Sequence, residues 1–351
     1  MRESGSPSAL AIIHSSTRAG RYTAPSLHSV GMRNFSADIA YCGSAVEPAD
    51  NPYTPRLTYD WGKAEPHDVG TFLRETLPPP VWDYFLNPDN PDGLATTHMR
   101  EQLWVSGLIQ WHYKKAALEH IVQLSLDERY SWVLFARSDY LFTSPLPALD
   151  KPGPPRTLVM DGEDYDGVND RLLVFPIGDL ADVIRVFDLE ELVDDHAMTE
   201  LAQFMESNRP KNPERLLKFQ MRRVGLWERA HALPQLGFCV RPEDETSRWS
   251  MGLYSPARKV FIKYPTELAL SKITSTPLVS KDPVSGAVRS RPLSSTRPGY
   301  FRWVKMAGHH RSTLLAPLLL VLGEGRLSLL IWRRAAAKTA RKALRRWRTK
   351  K

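Results

Sequence analysis

Two cysteines, Cys42 and Cys239, are all that this chain of 351 residues carries. They are too few for a disulfide framework or a four-thiolate zinc site. A reducing compartment is the simplest setting, so the expectation is a cytoplasmic protein with a peripheral attachment to membrane. Long apolar runs are missing as well. Residues 9–13 (ALAII) are too short for the core of a signal peptide, so no signal peptide is evident. The run 314–322 stops after nine residues. Extending it to Trp332 would put Glu324 and Arg326 in a bilayer, at roughly 2.5–3.5 kcal/mol for each charge at the centre. A spanning helix needs about 20 mostly apolar residues. The chain has no G-x-G-x-x-G, no Walker lysine motif and no G-x-S-x-G elbow. These absences count against dinucleotide binding, P-loop phosphoryl transfer and serine-hydrolase chemistry.

What is present is close to ordinary soluble usage. Hydrophobic residues are 42% and charged residues 25%, and ten tryptophans are enough to build a sizeable core. The net charge of +8 is misleading until it is placed. Residues 333–351 hold ten Lys and Arg and no acid, so the rest of the chain sums to 8 − 10 = −2. The basic character belongs to the tail, and nucleic acid is not expected as a partner of the body. Ala336, Ala340, Leu344 and Trp347 recur along one face of that tail at helical spacing. A basic amphipathic helix after a short greasy segment suits an anionic membrane surface; a solvated basic tail has the same composition.

Along the chain, residues 9–15 and 37–41 read as strands around a helix over 22–35, a β-α-β opening that favours a parallel sheet. Residues 43–95 carry nine prolines and form an irregular excursion with short helices. The longest helical pattern is 97–123, with Trp104, Leu108, Trp111, Leu118 and Val122 on one face. WVLFA at 132–136 has the unbroken apolar run of a central strand. Short strands follow at 157–160, 172–175 and 236–240, and helices at 178–192 and 213–224. Residues 271–300, rich in Ser, Thr and Pro, read as a linker. The division expected is 1–268 for the α/β body, 269–312 for the linker or extension, and 313–351 for the apolar and basic tail.

Two segments carry candidate chemistry. Arg137-Ser138-Asp139 leaves the strand at 132–136, on the edge where ligands of α/β sheets bind; taken alone, Asp139 is also a common turn former. The stretch Asp161 to Asp170 places five carboxylates in ten residues, which repel unless a cation or a basic group compensates. It lacks the spacing of an EF-hand. Ser15 and Arg18 follow the first strand on the same edge. Pro213 suits a first helical turn and Glu214 its positive end.

Together, YSWVLFARSDYLF, DGVNDRLLVFP and NPERLLKFQMRRVGLW, in that order, resemble the glycosyltransferase-like proteins of the nucleotide-diphospho-sugar transferase (GT-A) fold. In that pattern a strand ends in R-x-D, a loop presents G-x-N-D-R before the next strand, and a Glu opens a helix. The resemblance covers roughly residues 8–250, about a single domain. It implies a GT-A-like α/β fold with a mixed, mostly parallel sheet flanked by helices, followed here by the basic helical tail. It also implies transfer of a sugar from a nucleotide-sugar donor to a glycan or lipid acceptor. Asp139 would take the place of the family's Asp-x-Asp motif as the ligand of a divalent cation, Mn or Mg. Arg137 stands where the first Asp of that motif would be, and a guanidinium suits phosphate oxygens directly. Asn169 and Arg171 would lie at the donor with Ser15 and Arg18. Asp170 is the first choice of general base and Glu214 the second. The rival readings are a catalytically idle GT-A-like domain with a membrane- or nucleic-acid-binding tail, and a metal-dependent phosphotransferase or nuclease built on the 161–170 carboxylates.

Overall fold

A computed structural model describes residues 8–17, 19–45, 51–64, 69–86, 98–149, 155–161, 167–205, 212–244, 252–275, 277–281 and 288–292. The strands of the two larger sheets are β1 (Ala9–His14), β2 (Ala37–Cys42), β3 (Tyr59–Asp60), β4 (Trp132–Arg137), β5 (Tyr140–Phe142), β6 (Leu158–Met160), β7 (Asn169–Pro176), β8 (His231–Leu233), β9 (Gly237–Pro242), β10 (Leu253–Ser255) and β11 (Val260–Ile262). Seven of them form one sheet in the order β8-β6-β7-β4-β1-β2-β3. β7 runs against its neighbours β4 and β6, and every other pairing is parallel. A smaller antiparallel sheet, β10-β11-β9-β5, stands beside it. This is the mixed, mostly parallel sheet that the sequence predicts.

The apolar runs make physical sense once both faces are seen to be covered. Leu10, Ile12, Val133, Phe135, Leu173 and Phe175 pack on a helical layer. That layer is built from α2 (Val69–Thr76), α3 (Pro79–Leu86), α4 (His98–Gln123), α5 (Leu180–Phe187), α6 (Asp195–Met205) and α7 (Pro213–Arg223). The alternate residues Ala11, Ile13, Leu134, Ala136, Leu172 and Val174 face α1 (Gly20–Ser26) and β5. Burying each large side chain of this set contributes about 1.5–3 kcal/mol.

Several expectations are corrected. The helix over 22–35 begins at Gly20 and is α-helical only to Ser26; the turn after Pro25 widens into a π-turn, Leu27–Gly31. The helix over 178–192 is three pieces, a 3-10 turn at Ile177–Asp179, α5, and a second 3-10 turn at Leu189–Leu192. Asp188 causes the second break: its backbone is extended and its carboxylate accepts from the Glu190 N–H. On α4, Leu108, Trp111 and Leu118 are buried as expected, but Val122 is 52% exposed and Ile121 takes the inward place. Residues 271–300 are more than a linker. Helix α8 (Pro265–Ser275) runs through position 268/269, and Pro277–Lys281 pairs antiparallel with Val288–Pro292. Among the described residues no helix is long and apolar enough to cross a membrane. The tail 313–351 lies outside the described residues.

Candidate active site

The carboxyl ends of β1 and β4 lie side by side, with His14 in register with Arg137. The chain leaves β1 through Ser15, a non-glycine residue at φ 89, a conformation that an L-residue adopts only when its surroundings impose it. The carbonyl of Ser15 accepts from Tyr41 Oη at 2.8 Å, and Gly43 packs so tightly on it that a Cβ would lie 2.1 Å from that oxygen. The Ser138 N–H donates to the His14 carbonyl at 3.0 Å, and the Ser138 hydroxyl donates to the Ser16 carbonyl. Tyr53 Oη and Thr23 Oγ1 both donate to the Ser138 carbonyl. The middle residue of R-x-D therefore ties the two strand ends together, while its neighbours turn to the site.

Arg137 and Asp139 form a two-pronged pair: Nε donates to Oδ1 at 3.0 Å and Nη2 to Oδ2 at 2.9 Å. The Lys263 ammonium donates to the same Oδ2. Arg137 also reaches Asp170 at 3.5 Å. Asp170 pairs with Arg171 at 2.9 Å, and Arg171 reaches Glu214 at 3.4 Å and Glu267 at 2.9 Å. The contact with Glu267 is an ion pair rather than an aligned hydrogen bond; the other Glu267 oxygen accepts from the Cys239 N–H at 2.8 Å. Lys114, buried in α4, donates to the Asp170 carbonyl at 3.4 Å. Four cations and four carboxylates thus share one cluster, most of it out of water.

Local rules place the carboxylates. Asn212 caps α7 through a 2.8 Å bond from the Arg215 N–H, and Pro213 fills the first turn. Capping is therefore Asn212's task, which frees the Glu214 side chain to face Arg171. Gly167 is the glycine of G-x-N-D-R. A Cβ there would sit 2.0 Å from the Glu214 carbonyl, and the next N–H, of Val168, donates to that carbonyl at 2.9 Å. Only glycine lets β7 begin against the start of α7. Asn169 is buried and accepts from the Arg171 N–H at 3.0 Å.

Burial and charge separate the acids. Burial alone would raise Asp139, but Arg137 and Lys263 hold it well below the ordinary carboxylate range. Burial likewise opposes Asp170, and Arg137, Arg171 and Lys114 pull it down. Glu214 goes the other way: burial, reinforced by the Asp170 charge and only partly offset by Arg171, pushes it up to about 7. Burial brings Lys114 down to about 8. His14 is driven well below its usual range by burial first, then by Lys114 and Arg137, and stays neutral. The Cys239 thiol is pushed up by burial and by Asp139 and Glu267, which removes it as a thiolate nucleophile.

Of the residues picked from the sequence, Arg137, Asp139, Asp170, Arg171 and Glu214 converge and Asn169 braces them. Ser15 shares the edge, but its described contact is with Tyr41. Arg18 lies outside the described residues, as do most of the acidic residues of 161–170. Lys114, Lys263, Glu267 and His14 were missed. Lys114 did carry a signal, because Trp111, Lys114 and Leu118 follow the inward stripe of the helix.

The donor set does not fit a divalent cation at Asp139. Both of its oxygens are taken by cations, and among the described residues no three His, Cys, Asp or Glu side chains gather as a metal site would need. An open depression of about 380 Å³ lies elsewhere, between Leu73, Leu77, Trp111 and Phe187.

No family model matches this chain, and no curated protein matches it by sequence. Among solved structures it is similar to mouse xyloside xylosyltransferase 1 in its apo form, at 13% identity over 64% of this chain and 84% of that one, with a TM-score of 0.37. It is also similar to the apo structure of WbbM, a bifunctional glycosyltransferase, at 14% identity over 67% of this chain and 40% of that one, with a TM-score of 0.30. Likeness at this level adds nothing to the geometry described above.

Proposed function

We propose that this protein is a glycosyltransferase that moves a sugar from a nucleotide-sugar donor to an acceptor hydroxyl on a glycan or lipid. One observation carries the reading. At the carboxyl edge of the sheet, where ligands of α/β proteins bind, cations suited to a diphosphate adjoin a carboxyl group poised near neutral pH. Sugar departure builds negative charge on the diphosphate, and the Arg137 guanidinium matches phosphate oxygens in geometry and sign. The acceptor hydroxyl must lose a proton as it attacks the anomeric carbon. A base works best with a pKa near the working pH, so Glu214 takes this role ahead of Asp170. Asp170, held ionised between Arg137 and Arg171, supports the developing positive charge on the sugar. Asn169 and Arg171 position Asp170 and Glu214. Ser15 and Arg18 remain candidates for the donor edge.

The geometry favours this reading over a two-metal nuclease or phosphotransferase, whose carboxylates must be free to share metal ions about 4 Å apart. Here each carboxylate of the cluster already faces Arg or Lys. The idle-domain alternative predicts no turnover. The test is a thermal-shift panel of UDP-, GDP-, CMP- and dTDP-sugars, followed by turnover of whichever donor binds. A ligand specific for the folded state must raise its melting temperature. The expected result is a shift with one nucleotide class and turnover that Glu214→Gln abolishes at unchanged stability to heat below pH 5. No shift with any donor would end the proposal.

A further inference from the structure

We infer that Lys263 and Arg137 together stand where a divalent cation would otherwise sit, so that the diphosphate of the ligand binds on a guanidinium–ammonium pair without metal. The inference rests on the glycosyltransferase reading for the identity of the ligand, but not for its charge chemistry.

The geometry is specific. Arg137 Nη2 and Lys263 Nζ both donate to Asp139 Oδ2. Two like charges meeting on one oxygen repel each other, and a single carboxylate balances only one of them. Asp139 thus holds two cations side by side, and Arg137 shares a second carboxylate, Asp170, at 3.5 Å. Over the whole cluster Arg137, Arg171, Lys114 and Lys263 match Asp139, Asp170, Glu214 and Glu267 one for one, and positive charge is in excess only while Glu214 holds its proton. Arg137 and Lys263 keep 11% and 13% of their side-chain surface open, so these two cations border the solvent side of the cluster. Arg171 and Glu267, at 1% and 0%, are sealed and hold the frame. An ammonium has three N–H donors, and Asp139 is the single side-chain acceptor described for Lys263. The others are available to phosphate oxygens. A divalent ion on Asp139 would have to displace both cations or sit against them.

The test uses the full chain and two probes, inorganic pyrophosphate and Mn²⁺. Calorimetric titration with pyrophosphate in EDTA should show binding. Lys263→Met should weaken it about tenfold or more, the size of a lost charge-assisted hydrogen bond, while Lys263→Arg restores most of it. Melting temperatures of the variants show that they are folded. Paramagnetic resonance of Mn²⁺ with the wild-type chain should show the free ion alone. Pyrophosphate that binds only when Mn²⁺ is added, or Mn²⁺ that binds the chain by itself and is lost in Asp139→Asn, would overturn the inference and leave the glycosyltransferase reading standing. Metal-free pyrophosphate binding that depends on Lys263, with no nucleotide-sugar bound, would uphold the inference and remove that reading.

Discussion

Replacing Glu214 by glutamine tests the central electrostatic claim without any assumption about substrate. In the native protein this carboxyl is held near 7 instead of its ordinary 4.5, by burial and by the Asp170 charge. Arg171 and Arg137 oppose the shift without cancelling it, and Lys114 compensates Asp170 more than Glu214. Between these two pH values the folded chain binds a proton that the unfolded chain has released, so the wild type loses stability as pH rises through the window. The size is (7 − 4.5) × 1.36, about 3 kcal/mol, fully expressed above pH 7. Glutamine keeps the shape and does not titrate. The stability of Glu214→Gln relative to wild type should therefore be flat below about pH 4.5, climb from there to pH 7, and favour the variant by about 3 kcal/mol at pH 8. Asp139 and Asp170, both lowered, contribute stability that is lost as pH falls below the ordinary 3.8. They remain in both proteins and cancel in the difference. Urea unfolding followed by tryptophan fluorescence from pH 4 to 8.5 measures this directly. A difference that does not change with pH would refute the assignment. In the same window, kcat/KM of the wild type should rise with an apparent pKa near 7; a rise centred near 4.5 would remove Glu214 as the base.

Arg171→Met leaves Glu267, Glu214 and Asp170 facing one another without their shared cation and should cost roughly 3–5 kcal/mol, with part of the loss recovered at low pH; a cost under about 1 kcal/mol would mean that the cluster does not hold the frame. Gly167→Ala drives a Cβ into the Glu214 carbonyl and should cost about 1–3 kcal/mol, with a larger fractional loss of turnover than of folded protein; an unchanged melting temperature would contradict the packing described. Removing residues 333–351 takes away ten cations and should abolish salt-sensitive binding to anionic liposomes while sparing donor binding in solution; unchanged liposome binding would dismiss the tail as a membrane contact.

The parts of the fold legible in the sequence are those where one rule dominates. The runs ALAIIH and WVLFAR are buried on both faces, so their uniform hydrophobicity names them as central strands. Pro213 and Glu214 mark a helix start, and it begins there. The breaks at Pro25 and Asp188 were missed because each depends on which backbone groups the tertiary structure leaves unpaired. The strand β5 was missed because three residues (YLF) give no period to read, and its partner β9 lies about a hundred positions away. The order of Asp170 and Glu214 as bases, which the proposal reverses, was illegible for a similar reason. Both are acids beside basic residues in sequence, and only the folded arrangement shows that three cations pull one down while burial and the Asp170 charge outweigh Arg171 at the other.

The cluster nonetheless has a grammar. In extended chain, residues two apart point the same way. Arg137 and Asp139 have that spacing and close side chain on side chain at 2.9–3.0 Å, whereas Asn169 closes on the backbone N–H of Arg171 at 3.0 Å. The two glutamates use another rule, a proline-led helix start with the acid in its first turn, at Pro213-Glu214 and again at Pro265-Thr266-Glu267. Each pair or helix start is a common surface device when met alone. What makes them a site is that they are brought to one strand edge, where Lys114 and Lys263 arrive from a helix and a strand end that have no other business with buried charge. A mispaired cluster would leave ions unsatisfied at several kcal/mol apiece, so the arrangement persists only if all its members arrive together. That cost is borne at the carboxyl edge of the sheet, where ligands of α/β proteins bind, and this position is the ground on which the cluster is proposed as a binding site.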